Sequence, residues 1–134
     1  MVKKIFFLGL LIFNLFFLSC VENTKEGCRS ETKYIEEFTM AIILTEKPYK
    51  PYNYIVKGID LNVRKDTVYE FEGRWFDQLG RYWDIGDTII KKQGDLFLEI
   101  HKKDIIHTST WTCEGVFIDG ISVSELARRR KYGK

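Results

Sequence analysis

The sequence is short of the residues that most enzyme sites are built from. It has two histidines, His101 and His107, and three cysteines. The histidines form no H-E-x-x-H pattern and no Cys/His cluster flanks them, so neither a zinc signature nor a metal ligand set is expected. There is no G-x-S-x-G nucleophile turn and no glycine-rich phosphate loop. With two prolines and ten glycines in 134 residues, no low-complexity tract is present. A basic excess is also missing from the body of the chain, which argues against nucleic acid as a partner, because phosphate neutralisation needs one. Aromatic residues are abundant, at 15%, and a chain so rich in Phe, Tyr and Trp is not a disordered one.

The chain begins with a positive Lys3-Lys4 pair and then runs uncharged from Ile5 to Leu18. That is the layout of a secretory signal peptide, residues 1–19, with Ser19 as the small residue at the cleavage junction. Leu18, Ser19 and Cys20 together resemble the lipobox of bacterial lipoproteins, with Phe17 where that motif usually carries leucine. The resemblance implies acylation of Cys20 and attachment to a membrane through buried acyl chains, at about 0.8 kcal/mol per methylene. Two alternatives are a plain signal peptide and an uncleaved anchor. A spanning helix needs about 20 apolar residues, whereas Asn14 interrupts this run and Glu22 and Lys25 end it. Cleavage would leave 115 of the 134 residues, with 19 of the 21 basic residues against 19 acidic ones. One small domain is expected.

If the lipid takes Cys20, Cys28 and Cys113 remain. In an exported protein these two are expected to form a disulfide closing about 85 residues, worth about 2–4 kcal/mol. The alternative is a pair of buried thiols.

Period-two alternation marks strands within Tyr34–Thr45, where Ile35, Phe38 and Ile42 also fit a helical face, and within Tyr54–Arg64 and Leu96–Ile100; Thr67–Glu72, Thr88–Lys91, Ile105–Cys113 and Val116–Ile118 read as further short β-prone runs. In the second, Ile59, Leu61 and Val63 are expected to share one face and Asp60, Asn62 and Arg64 the other. Six or seven short strands with short turns predict a mainly β domain over residues 34–121, a small antiparallel barrel or sandwich. Residues 20–33 read as a polar, lipidated tether. Residues 122–134 read as a basic tail, with a capping box at Ser122-x-x-Glu125 followed by Arg128, Arg129, Arg130, Lys131 and Lys134. That tail invites contact with anionic lipid, although a solvated end is the plainer reading.

The phrase Gly86-Asp87-Thr88-Ile89-Ile90-Lys91-Lys92-Gln93-Gly94 resembles a segment of small lipoproteins of Bacteroides-type bacteria, through Gly86, Asp87, Ile89, Lys91, Lys92 and Gly94. The resemblance implies a small exported β domain and brings no activity with it. Read from the residues alone, Gly86 and Gly94 suit turns, and Asp87 and Asp95 can accept backbone hydrogen bonds there.

Three functions compete. The first is a non-enzymatic envelope lipoprotein, held at a cell or outer membrane and facing the periplasm or the cell surface, that binds a protein partner as inhibitors and immunity proteins do. It would use Trp75, Phe76, Tyr82 and Trp83 on the loop Arg74–Trp83, which has room for one helical turn around Trp75–Leu79, since Trp, Tyr and Arg dominate interface energies; the same rings could instead cap the core. The second is glycan binding by the same aromatics. The third is a small hydrolase using carboxylates such as Glu70 and Glu72. No cofactor is expected.

Overall fold

The computed structural model describes residues 25–50 and 53–133. The expected signal peptide, Cys20 and the first residues of the tether lie outside them. Among the described residues the first element is a helix, α1, described over residues 25–37. Eight strands follow: β1 (Met40–Leu44), β2 (Tyr54–Asp60), β3 (Asp66–Phe71), β4 (Thr88–Lys91), β5 (Phe97–His101), β6 (Ile106–Thr112), β7 (Gly115–Ile118) and β8 (Ile121–Ser122). Helix α2 (Arg74–Leu79) sits between β3 and β4, and α3 (Val123–Tyr132) follows β8.

The strands make one sheet in the order β3-β2-β1-β4-β5-β6-β7-β8, and every neighbouring pair is antiparallel. The chain is therefore mainly β, as its alternation predicts. The sheet stays open, with β3 and β8 as unjoined edges, so of the two expected architectures the closed barrel is not formed. The core is sandwich-like. Alternate residues of the strands, among them Ile42, Leu44, Val56, Ile89, Leu98, Ile100, Val116 and Ile118, are buried on one face. Packed with them are Ile35 of α1, Trp75, Phe76 and Leu79 of α2, and Val123 of α3.

The tether reading is corrected over residues 25–33. Cys28, Thr32 and Ile35 recur at helical spacing, and α1 is fixed to the sheet through all three. Cys28 is disulfide-bonded to Cys113 with Cα atoms 5.6 Å apart, a normal span for the bond. Thr32 Oγ1 accepts a hydrogen bond from Trp111 Nε1 at 3.4 Å, and Ile35 is buried. The expected disulfide is thus present.

A second correction concerns β2. Its buried residues are Tyr54, Val56, Gly58 and Asp60, while Ile59 and Val63 are 38% and 60% exposed. The strand ends at Asp60, so Leu61 and Val63 lie in the following turn and not on a strand face with Ile59, and the inward residue of the Ile59–Asp60 pair is the aspartate. That carboxylate accepts hydrogen bonds from the backbone N–H groups of Asn62 and Val63 and from the Tyr69 hydroxyl, at 2.7, 3.2 and 2.6 Å. A buried aspartate with three donors closes the β2–β3 turn, and the hydroxyl and N–H donors hold its carboxyl below the usual range. Burial and that same hydrogen bond push the Tyr69 hydroxyl up to about 12.

At Gly86, Asp87 and Gly94 the turn chemistry is as read. Gly86 and Gly94 take φ of 91° and 87°, and Asp87 accepts from the Asp84 N–H. Asp119 and Gly120, both with positive φ, form the two-residue connection between the paired Ile118 and Ile121, the geometry of a type I′ hairpin. Half of the expected capping box is present: Ser122 Oγ accepts from the Glu125 N–H at 3.2 Å, while the Glu125 carboxylate pairs with Arg128 and Arg129.

Candidate functional site

The loop singled out for binding is, in large part, core. Arg74–Leu79 is helical, and Trp75, Phe76 and Trp83 are all 0% exposed. Phe76 stacks on Phe71 at 4.1 Å and lies 5.4 Å from Phe38, and Tyr54 meets Trp83 edge-on at 6.1 Å. One sheet face needs a second apolar layer, and these rings supply it. A binding surface made of Trp75, Phe76 and Trp83 is therefore dropped, and with it their use as a stacking platform for sugars. Tyr82 alone of the four keeps a partly open ring.

Tyr82 opens onto a cleft of about 330 Å³, within the range of small ligand sites. Ile100, Ile118, Ile121 and Leu126 form its apolar part; Arg81, Asp84, Lys102, His107, Asp119 and Arg130 carry its charge. A second, smaller cavity shares Arg81, Tyr82 and Arg130 and adds Ala127 and Lys131.

Each wall has a local cause. Helix α2 ends at Gly80 and delivers Arg81 and Tyr82 to the rim. The Asp119-Gly120 turn places Asp119 against β6, where its carboxylate accepts from His107 Nδ1 and from the Thr108 N–H. Those donors, His107 first, hold the Asp119 carboxyl below its ordinary value. The capped start of α3 sets Leu126 and Arg130 four residues apart on one helical face, and the Arg130 guanidinium lies over the Tyr82 ring at 5.3 Å, a cation–π arrangement.

Below Tyr82, Asp84 is an ion-pair hub. Lys47 and Lys102 both reach it at 2.9 Å, and Lys102 also bonds Asp87. Hydrogen bonds from Lys102 and Lys47 lower the Asp84 carboxyl to about 2. Asp87 of the glycine-flanked phrase thus serves both its turn and this network.

His107 lies opposite Ile100 and His101 opposite Ile106 on adjacent strands, so the two histidines occupy opposite faces of the sheet. His101 pairs instead with Glu99 at 2.7 Å. Among the described residues, no serine, threonine or cysteine lines the cleft for His107 to activate. Glu70 accepts from Asn53 on exposed surface at the edge strand β3. Among the described residues no group of His, Cys, Asp and Glu could hold a metal ion, and no helix is long and apolar enough to cross a membrane.

The cleft residues other than Tyr82 were not evident as a site in the sequence. The usable signal was the capping box with Leu126 and Arg130 at i, i+4, which turns a basic tail into a helix with a mixed face. Lys91, part of the same phrase as Asp87, is also unexpected in being buried. Its ammonium donates to the carbonyls of Phe38 and Lys92 and lies 5.0 Å from the Phe38 ring, beside the end of α1, where unpaired carbonyls favour a cation. Burial lowers its pKa, with Asp95 and Glu36 opposing.

Comparison of the chain with protein-family models, with curated proteins and with solved structures finds no match.

Proposed function

We propose that this chain is an exported lipoprotein, anchored through Cys20 to a cell or outer membrane, and that it acts without catalysis by presenting the cleft around Tyr82 to a protein partner. The observation that carries the reading is the placement of the two ends of β6. Residue 25, the first described residue of α1, is five residues after Cys20, and the Cys28–Cys113 disulfide pins the helix beside the β6–β7 turn. Five residues span at most about 18 Å, so an acylated Cys20 holds that end near the membrane. His107, at the other end of β6, is six residues from Cys113, about 20 Å along the strand. The cleft is there, at the end of β6 remote from the disulfide. The disulfide supports export, because such bonds persist in oxidising compartments. Tyr and Arg at the rim supply the residue types of interface hot spots.

Mass spectrometry of the membrane fraction tests the anchor: the mature protein is expected to start at an acylated Cys20, and a mature chain starting at Met1 overturns it. A photo-reactive residue replacing Tyr82 tests the surface. It should cross-link in intact envelopes where the same probe at Val68, exposed on the far edge strand, does not. Equal cross-linking from both positions rules out the cleft as the contact.

A further inference from the structure

The charges of the cleft do not balance one another, and the imbalance points to a ligand. Its acidic groups are already held. Asp84 is taken by Lys47 and Lys102, Asp119 by His107 and the Thr108 N–H, and Glu125 on the adjoining helix by Arg128 and Arg129. Arg81 and Arg130 both line the two adjoining cavities, and neither has an ion-pair partner among the described residues. Arg130 instead lies over the Tyr82 ring, which leaves the donor edge of its planar guanidinium for an oxyanion. An arginine fork matches a carboxylate in two parallel hydrogen bonds. Next to these cations the wall is apolar, with Ile121 and Leu126 partly open. A free inorganic anion would leave that wall unused.

We propose that the cleft binds an acidic segment of a partner protein, a carboxylate received by Arg81 and Arg130 with a neighbouring aliphatic side chain set against Ile121 and Leu126. The proposal rests on the reading of the cleft as the partner-binding surface and supplies its chemistry. A second source of such chemistry, an anionic lipid of the anchoring membrane, fits the geometry less well. The cleft is at the end of β6 remote from the disulfide and α1, about 20 Å along the strand.

The test uses the chain from residue 20 onward with Cys20→Ser, which keeps every described residue and removes the acyl chain. The probe is a fluorescent peptide of alternating Glu and Leu, compared with the Gln/Leu version, inorganic phosphate and vesicles of phosphatidylglycerol in phosphatidylcholine. The Glu/Leu peptide is expected to bind with an affinity that falls as salt rises, and the Gln/Leu peptide about tenfold or more weaker. Arg81→Gln and Arg130→Gln should each weaken the Glu/Leu peptide about tenfold, with the melting temperature unchanged for the exposed Arg81 and lowered by a few degrees at most for Arg130, whose contact with the Tyr82 ring is lost. Arg128→Gln should bind as the parent does. Leu126→Ser should lower affinity while leaving the salt dependence in place. Equal binding of the two peptides, parental affinity in both cleft-arginine variants, or displacement of the peptide by phosphate or by the vesicles overturns the proposal. If the peptide fails while the photo-reactive probe at Tyr82 still cross-links selectively, the acidic ligand is wrong and the cleft stands. If both fail, the cleft itself is wrong.

Discussion

Replacing Gly80 by Ala probes the aromatic layer at the point where it has least room. The backbone there is ordinary, with φ −57° and ψ −19°, so alanine fits the dihedrals and would add up to about 1 kcal/mol through helix preference. Space decides the sign. A Cβ at Gly80 would sit 1.7 Å from the Tyr54 hydroxyl oxygen, 2.7 Å from Cζ and 3.0 Å from Cε2. Tyr54 is 5% exposed, stacks near Phe76 at 6.2 Å and meets Trp83 edge-on, so its ring cannot swing out of the way without disturbing two buried aromatics. Overpacking of this kind costs about 1–3 kcal/mol. Set against the helix gain, Gly80→Ala should destabilise by about 1–2 kcal/mol, or about 5–15 °C in melting temperature for a domain of this size. The hydroxyl is the atom in closest conflict, and it has no hydrogen-bond partner among the described residues. Tyr54→Phe alone should therefore be nearly neutral, and in that background Gly80→Ala should recover about 1 kcal/mol. Recovery is partial because Cζ stays at 2.7 Å. Thermal and urea denaturation of the four proteins gives the coupling directly. A neutral or stabilising Gly80→Ala, or strictly additive effects, would refute the packing described for this layer.

Three further outcomes follow from the same structure. Trp75→Ala and Trp83→Ala should each cost about 3–5 kcal/mol, the loss for a fully buried large aromatic; a variant that melts like the parent but loses partner binding would restore the surface role withdrawn above. Reduction, or Cys28→Ser with Cys113→Ser, should lower stability by about 2–4 kcal/mol, because the bond joins residues 85 apart; full thiol labelling of the oxidised, unfolded protein would show that no bond exists. The Asp84 carboxyl is held down to about 2 by Lys102 and Lys47, below the ordinary value near 3.9. Its contribution is therefore complete above about pH 4 and is lost as pH falls toward 2. The loss should be small and should shrink in salt, since the side chain is 65% exposed; an Asp84→Asn variant with an unchanged acid limb at low salt would contradict it.

The strands were legible where one face is buried and the other open. Thr88–Lys91 matches its expected bounds, and the Leu98 and Ile100 alternation holds, because a two-residue period is what half-burial selects. It misled at Ile59–Val63, where Ile59 and Val63 are exposed and the strand stops at Asp60. Hydropathy alone could not show that the Asp60 carboxylate, satisfied by Tyr69 and two N–H groups, would be the inward residue. Helix α1 was missed because its buried side is made of a cysteine, a threonine and one isoleucine. Little of that face is apolar, and what holds it is a disulfide and a hydrogen bond to Trp111, long-range links with no local signature.

The candidate site failed to show itself for a related reason. Trp75, Phe76 and Trp83 stand out in a list of residues for their size, and large rings interleaved with charge look like a surface. In a small chain whose strands make a single open sheet, however, the far side of the core has to come from somewhere, and a six-residue helix can fill it only with the largest side chains. The charges beside them are short-range fittings: Asp77 pairs with Lys50 and Asp84 with Lys47 and Lys102. What remains for recognition is the residue left at the rim, Tyr82, and the helix that reaches it. The Ser122 cap fixes the start of α3, and that start sets the phase of Leu126 and Arg130. The basic run therefore matters less for its charge count than for which of its members face the ring: Arg128 and Arg129 are spent on Glu125, and Arg130 is the one brought to the cleft.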